Sequence, residues 1–214
     1  PEIFLAQIRA MLKANEGLGN LRILLPMISA MEEVDESLAL IQRCHDEVIA
    51  EGYTQEFPPV GAMIEVPSAV WLTDALAQRL DFLSVGSNDL TQYLLAVDRT
   101  NARVADMYHG LHPAVLGALA KICRDAHQRS CPVSICGELA GDPQATPLLI
   151  AMGFDQLSMN AASLPRVKKV LNSVTLTEAK EVLEQLRGLH TVNQVKHLLD
   201  DLMQRRGLER YVRT

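Results

Sequence analysis

Apolar residues follow two rhythms along this chain. In Glu2–Asn15 they recur at the spacing of one helix face (Ile3, Leu5, Ile8, Leu12), and Gly17 and Gly19 end the pattern. Elsewhere they form short unbroken runs: Leu21–Pro26, Val60–Val66, Asp81–Gly86, Val133–Cys136 and Gln156–Met159. Runs of this length, rich in Val, Ile and Leu, predict buried strands. Helix-period segments separate them: Glu32–Glu51, Ser68–Leu80, Leu90–Ala96, His112–Arg129, Pro143–Met152 and Leu164–Asn172. Two more, Glu178–Arg187 and Val192–Arg206, follow with no strand between them. A helix after every strand predicts a parallel α/β sheet with right-handed crossovers.

The polar residues cluster at one end of these strands. Glu65 closes the second run, Ser87-Asn88-Asp89 follows the third directly, Cys136-Gly137-Glu138 closes the fourth and Asn160 follows the fifth. Chemistry-bearing groups at the carboxyl ends of successive parallel strands are the layout of a TIM-type (β/α)8 barrel. The expected fold is therefore a partial barrel of about five βα units with extra C-terminal helices. No linker or low-complexity stretch divides residues 1–214. Glu65 and Asp89 lie one βα unit apart and should face each other, and paired carboxylates without a His or Cys pair suit Mg²⁺ better than Zn²⁺. Arg99, one short helix further on, can swing back to the same mouth and favours a phosphorylated or carboxylated substrate. Blander readings remain beside these: Asp89 as a helix cap, two separately solvated carboxylates, and Cys136 as a core thiol.

Composition narrows the class. A net charge of −6 with no Lys/Arg run argues against a nucleic-acid surface. No apolar stretch approaches the roughly 18 residues of a membrane span, so no membrane role is expected. Cys44, Cys123, Cys131 and Cys136 form neither a metal-type pair nor a disulfide framework, which makes a cytoplasmic location the default.

Three segments carry a family resemblance: Gly61-Ala-Met-Ile-Glu-Val-Pro67, Asp81 through Arg99, and Cys136-Gly-Glu-Leu-Ala-Gly-Asp142. They resemble the phosphoenolpyruvate-utilising family, and within it the carboxyl-terminal domain of Enzyme I, the phosphoenolpyruvate–protein phosphotransferase. The Glu-Val-Pro segment and Leu111-His-Pro-Ala114 fit the nitrogen-related paralogue. The resemblance implies Mg²⁺ held by Glu65 and Asp89. It also implies substrate contacts from Asn88, Asp89, Arg99 and the backbone at Gly86 and Ser87, and Cys136 as the acid that protonates the enolate to pyruvate. A thiol suits that task, since an unperturbed pKa of about 8.5 lets it arrive protonated and still release its proton. The expected reaction is phosphoryl transfer from phosphoenolpyruvate to a protein histidine, with a histidine phosphocarrier protein downstream and a homodimer as the assembly.

The chain departs from the family in three respects. Five strands replace the family's eight, two phosphate-clamping arginines of earlier strands have no match, and none of the six histidines has the phosphohistidine context. Residues 1–214 are thus expected to be the carboxyl-terminal part of the barrel domain. The alternatives are an assembly fragment without turnover, or a Mg²⁺-dependent aldolase, lyase or dikinase barrel.

Overall fold

The computed structural model of the protein describes residues 2–212. Five strands form one all-parallel sheet in chain order: β1 (Ile23–Leu25), β2 (Val60–Ile64), β3 (Phe82–Gly86), β4 (Val133–Cys136) and β5 (Gln156–Leu157). Between them run α1 (Glu2–Ala14, before β1), α2 (Met31–Ala50), α3 (Pro67–Trp71), α4 (Thr73–Arg79), α5 (Ser87–Leu95), α6 (Pro113–His127) and α7 (Thr146–Met152). The chain ends in α8 (Leu164–Leu171), α9 (Leu176–Leu186), α10 (Val192–Arg205) and α11 (Glu209–Val212). An order that never reverses, with crossovers of one hand, puts the connecting helices on one face of the sheet. That is the wall of a partial barrel, as the strand–helix alternation predicted.

Strand parity then separates core from mouth. Val60, Ala62, Ile64, Leu83, Val85, Val133 and Ile135 are at most 1% exposed and face the helices. Met63, Ser134 and Cys136, on the other parity, are only half-buried and face the lumen. At the lumen floor the Phe82 ring lies across Gly61, where a Cβ would meet it at 2.5 Å. The Arg22 guanidinium stacks on that ring 4.5 Å from its centroid, at the end of the strands opposite the polar rim.

The same floor is tied by a repeated device. Asp81 accepts the Val60 amide at 2.8 Å, and Asp155 accepts the Val133 amide at 2.7 Å, so an Asp ahead of one strand anchors the first amide of its neighbour. His127 approaches Asp155 at 3.1 Å. Burial pushes Asp155 upward, but the Val133 amide and His127 outweigh it and hold the carboxyl below the usual Asp value. Its contribution to stability is present above the unfolded pKa and fades as pH falls through the lowered folded one. Asp155→Ala is expected to cost about 1–2 kcal/mol at neutral pH, measured by urea denaturation, with the difference shrinking in acid.

Local chemistry moved several element boundaries from where the sequence pattern put them. The expected helix Ser68–Leu80 breaks at Leu72, because the buried Thr73 hydroxyl donates back to Ala69 O (3.2 Å) and Val70 O (2.9 Å) and bends the chain. The helix expected from Leu90 begins at Ser87, straight off β3. Polar residues that read as a loop form its first turn, where unpaired amides and the helix dipole favour Asp89. The helix expected from Pro143 begins at Thr146, since Asp142 takes the Gln144 amide at 2.8 Å in a local turn. His112 caps α6 by accepting the Ala114 amide at 3.1 Å. The fifth strand is shorter than expected, and α11 was not expected at all.

Candidate active site

The register of the sheet aligns the polar rim. Ile64 pairs with Val85 and Gly86 with Cys136, so Glu65, Gly86 and Cys136 stand in one row across three strand ends. Gly86 makes room in this row: a Cβ there would lie 2.7 Å from Glu65 Oε2 and 3.1 Å from Met63 Sδ. Glu65 is 5% exposed, and its Oε1 accepts the Met27 amide at 2.8 Å. Met27, at φ +55°, holds the left-handed turn that aims this amide across from the end of β1. One carboxylate oxygen is therefore committed to the scaffold while Oε2 lies over Gly86.

Asp89 and Arg99 come from opposite ends of one helical excursion. Asp89 projects from the first turn of α5, and Ala96, left-handed at φ 53°, closes the helix and turns the chain back. Arg99 reaches Asp89 at 3.6 Å, with its backbone amide on Gln92 Oε1 at 3.2 Å. Tyr108, absent from the sequence reading, donates its hydroxyl to Asn88 O at 3.2 Å. Burial raises the Tyr108 pKa, and the nearby Arg99 guanidinium opposes that. Nothing in the sequence around Tyr108 marks this role, because it rests on a long-range return of the loop after Arg99.

Asn88 and Ser87 bind the neighbouring loop. Asn88 Oδ1 accepts the Glu138 amide at 3.1 Å, which leaves Nδ2 as the end free to donate to a ligand. The Ser87 hydroxyl donates to the Cys136 carbonyl at 2.6 Å, and Ser87 is 1% exposed. Cys136 Sγ lies 3.4 Å from Val85 O. Burial raises the Cys136 pKa, the Glu65 and Asp89 carboxylates add to the rise, and a hydrogen bond with Ser84 works against it. The sheet register brings the ends of β2 and β4 and the start of α5 to one mouth. Cys44, Cys123 and Cys131 are buried elsewhere, at 1%, 0% and 4% exposure.

This electrostatic coupling can be measured on the chain itself. Glu65→Gln and Asp89→Asn are each expected to lower the Cys136 pKa and speed its alkylation by iodoacetamide at pH 8, Glu65→Gln the more strongly. Unchanged alkylation in both variants would place the carboxylates away from the thiol.

Beside the mouth opens a cleft of about 440 Å³, with Asn88, Tyr108, His109, Glu138 and Lys196 among its lining. A second cleft, of about 320 Å³, lies at the opposite rim, where Glu56 is the one titratable side chain in its lining. Ser87 and Asn88 line the first.

A family profile described as "PEP-utilising enzyme, PEP-binding domain" matches residues 1–176. The chain belongs to the phosphoenolpyruvate-utilising enzymes. It is 47% identical over all 214 residues to an Escherichia coli protein named "Phosphoenolpyruvate-dependent phosphotransferase system", of which it covers 29%. It is 39% identical over 203 residues (94% of the chain) to the "Phosphoenolpyruvate-protein phosphotransferase" of Haemophilus influenzae, covering 35% of it. This member of the family thus spans about a third of the length of such relatives. Among solved structures, a citrate lyase from Burkholderia xenovorans superposes with TM-score 0.60 at 18% identity, over 95% of this chain and 69% of that one. An HpcH/HpaI aldolase from Desulfitobacterium hafniense gives 0.50 at 16% identity, over 80% and 70%. At such identities the likeness is one of fold, and it agrees with the partial barrel. No helix among the described residues is long and apolar enough to cross a membrane.

Proposed function

We propose that the rim of this half-barrel is the phosphoenolpyruvate site of a phosphotransferase that passes the phosphoryl group to a protein histidine and releases pyruvate. The carrying observation is the strand register that sets Glu65, Gly86 and Cys136 in one row, with Asp89 in the helical turn straight after Gly86 and Arg99 on Asp89. The names of the relatives supply the reaction class.

The donor set fits Mg²⁺. Glu65 Oε2 and the half-exposed Asp89 carboxylate are hard oxygen donors at a rim with no competing His cluster, and they would hold the ion together with substrate oxygens. When bound, Mg²⁺ supplies neutralisation of the charge on the phosphoryl group as it transfers. The protein's own groups do the rest. Met27 N–H keeps Glu65 turned to the lumen, Asn88 Nδ2 and Arg99 donate to phosphoryl oxygens, and Arg99 exchanges its contact with Asp89 for the substrate. Cys136 stands on the lumen face, where its thiol can hand a proton to the enolate carbon.

Calorimetric titration of phosphoenolpyruvate into the full-length protein, with and without Mg²⁺, tests this reading. Binding that needs Mg²⁺ and is lost in Glu65→Gln supports it; Mg²⁺-independent binding, or none, overturns it. Homodimerisation and a downstream histidine phosphocarrier belong to the same proposal. Ile3 (86% exposed), Trp71 (76%) and Met107 (63%) are apolar surface that a second copy would cover.

A further inference from the structure

We propose that Ser87 is a positioning residue for the proton-donating thiol and acts through its hydroxyl on the backbone of Cys136. This rests on the reading of Cys136 as the acid. Ser87 is 1% exposed, and at that burial its hydroxyl needs a protein partner. Its hydroxyl donates at 2.6 Å to the carbonyl of Cys136, the residue whose side chain ends the lumen row.

The next residue shows how tight this contact is. Gly137 takes φ +97°, and a Cβ there would lie 2.4 Å from Ser87 Oγ and 2.9 Å from Asn88 Oδ1. One residue on, Asn88 Oδ1 accepts the Glu138 amide. Two adjacent side chains at the start of α5 therefore clamp the 136–138 backbone at two points, one accepting and one donating. Val85 O, 3.4 Å from Cys136 Sγ, sets the third direction. Asn88 holds the clamp with its Oδ1 and leaves Nδ2 for the phosphoryl group, so phosphate site and acid share one rigid corner.

In the step served, the Cys136 S–H bond breaks and a C–H bond forms at the methylene carbon of the enolate. The enolate supplies the electron pair, and the thiolate left behind takes a proton from water. Proton transfer of this kind depends on the approach geometry of donor and carbon. A clamp on the donor's own carbonyl therefore affects protonation and leaves charge neutralisation at the phosphoryl group alone.

The test compares Ser87→Ala with Ser87→Thr, which keeps a hydroxyl, in the full-length protein. In Ser87→Ala, single-turnover phosphorylation of the accepting histidine is expected to fall at least threefold less than protonation of the enolate. The single-turnover rate of deuterated pyruvate formation in deuterated buffer should fall about tenfold, with KM for phosphoenolpyruvate little changed. Ser87→Thr should restore the rate of deuterated pyruvate formation to within about threefold. A second readout is independent of turnover: iodoacetamide alkylation of Cys136, the most exposed cysteine, should change at least threefold in Ser87→Ala and return in Ser87→Thr. Equal losses in phosphorylation and protonation, or no rescue by Thr, overturn the proposal. Alkylation that shifts while protonation does not means that the clamp is real and Cys136 is not the acid. Alkylation that does not shift means there is no clamp.

Discussion

Asp89→Ala should reduce phosphoryl transfer from phosphoenolpyruvate by roughly 10³-fold, and Arg99→Ala by a similar factor, because in the proposed site Asp89 holds the Mg²⁺ and Arg99 donates to the phosphoryl oxygens. In such a reaction catalysis is mostly positioning and electrostatics, with little covalent work for the protein, so single charged groups carry large shares of it. Asp89 has two tasks here: a carboxylate at the rim and the counter-charge to Arg99 at 3.6 Å. Removing it takes away a proposed Mg²⁺ ligand and leaves the guanidinium without its resting partner. Asp89→Asn should fall nearly as far, since it keeps the shape and loses the charge. Steady-state phosphorylation of the accepting histidine at saturating phosphoenolpyruvate and Mg²⁺ measures this. Activity within about tenfold of the parent in both variants would remove Asp89 from the site.

Gly137→Ala should destabilise the domain by about 2–4 kcal/mol, a large effect for one methyl group. Two costs coincide. A left-handed φ of +97° is strained for any residue with a Cβ, and the added carbon would lie 2.4 Å from Ser87 Oγ. Neither neighbour yields readily, because Ser87 is held on Cys136 O and Asn88 on the Glu138 amide. The substitution must break the clamp or shift the start of α5. Urea denaturation followed by circular dichroism reads the loss, and a change under about 0.5 kcal/mol would show that the loop has slack. Gly117→Ala is the matched control, since nothing lies within 4 Å of its Cβ position and the site is helical. It should be neutral or slightly stabilising.

The sheet was legible in the sequence because each strand is a short apolar run and each connection is helical, which leaves few topologies. The rim was legible for the same reason: Glu65, Asp89 and Cys136 end strands or follow them, so placing the strands places these residues. What escaped was geometry made by contacts distant in sequence. Tyr108 reaches Asn88 over a loop with no periodicity, and Met27 holds Glu65 from the end of another strand. The resemblance gave Ser87 a backbone contact to substrate and no task for its hydroxyl, which the fold places on the Cys136 carbonyl. Likewise Ser87-Asn88-Asp89 read as a loop because polar residues favour loops. In the fold they supply the first turn of a helix, where free amides favour the same residues.

The central claim is that one mouth divides the work, with charged groups moving the phosphoryl and Cys136 protonating the enolate. The most direct test is a single turnover of full-length Cys136→Ala in deuterated buffer, following phosphohistidine and deuterated pyruvate together. The account predicts phosphohistidine formation within a few-fold of the parent and formation of deuterated pyruvate slowed by about 10²-fold or more. If Cys136→Ala loses phosphohistidine formation as completely as Asp89→Ala does, the division of roles is wrong.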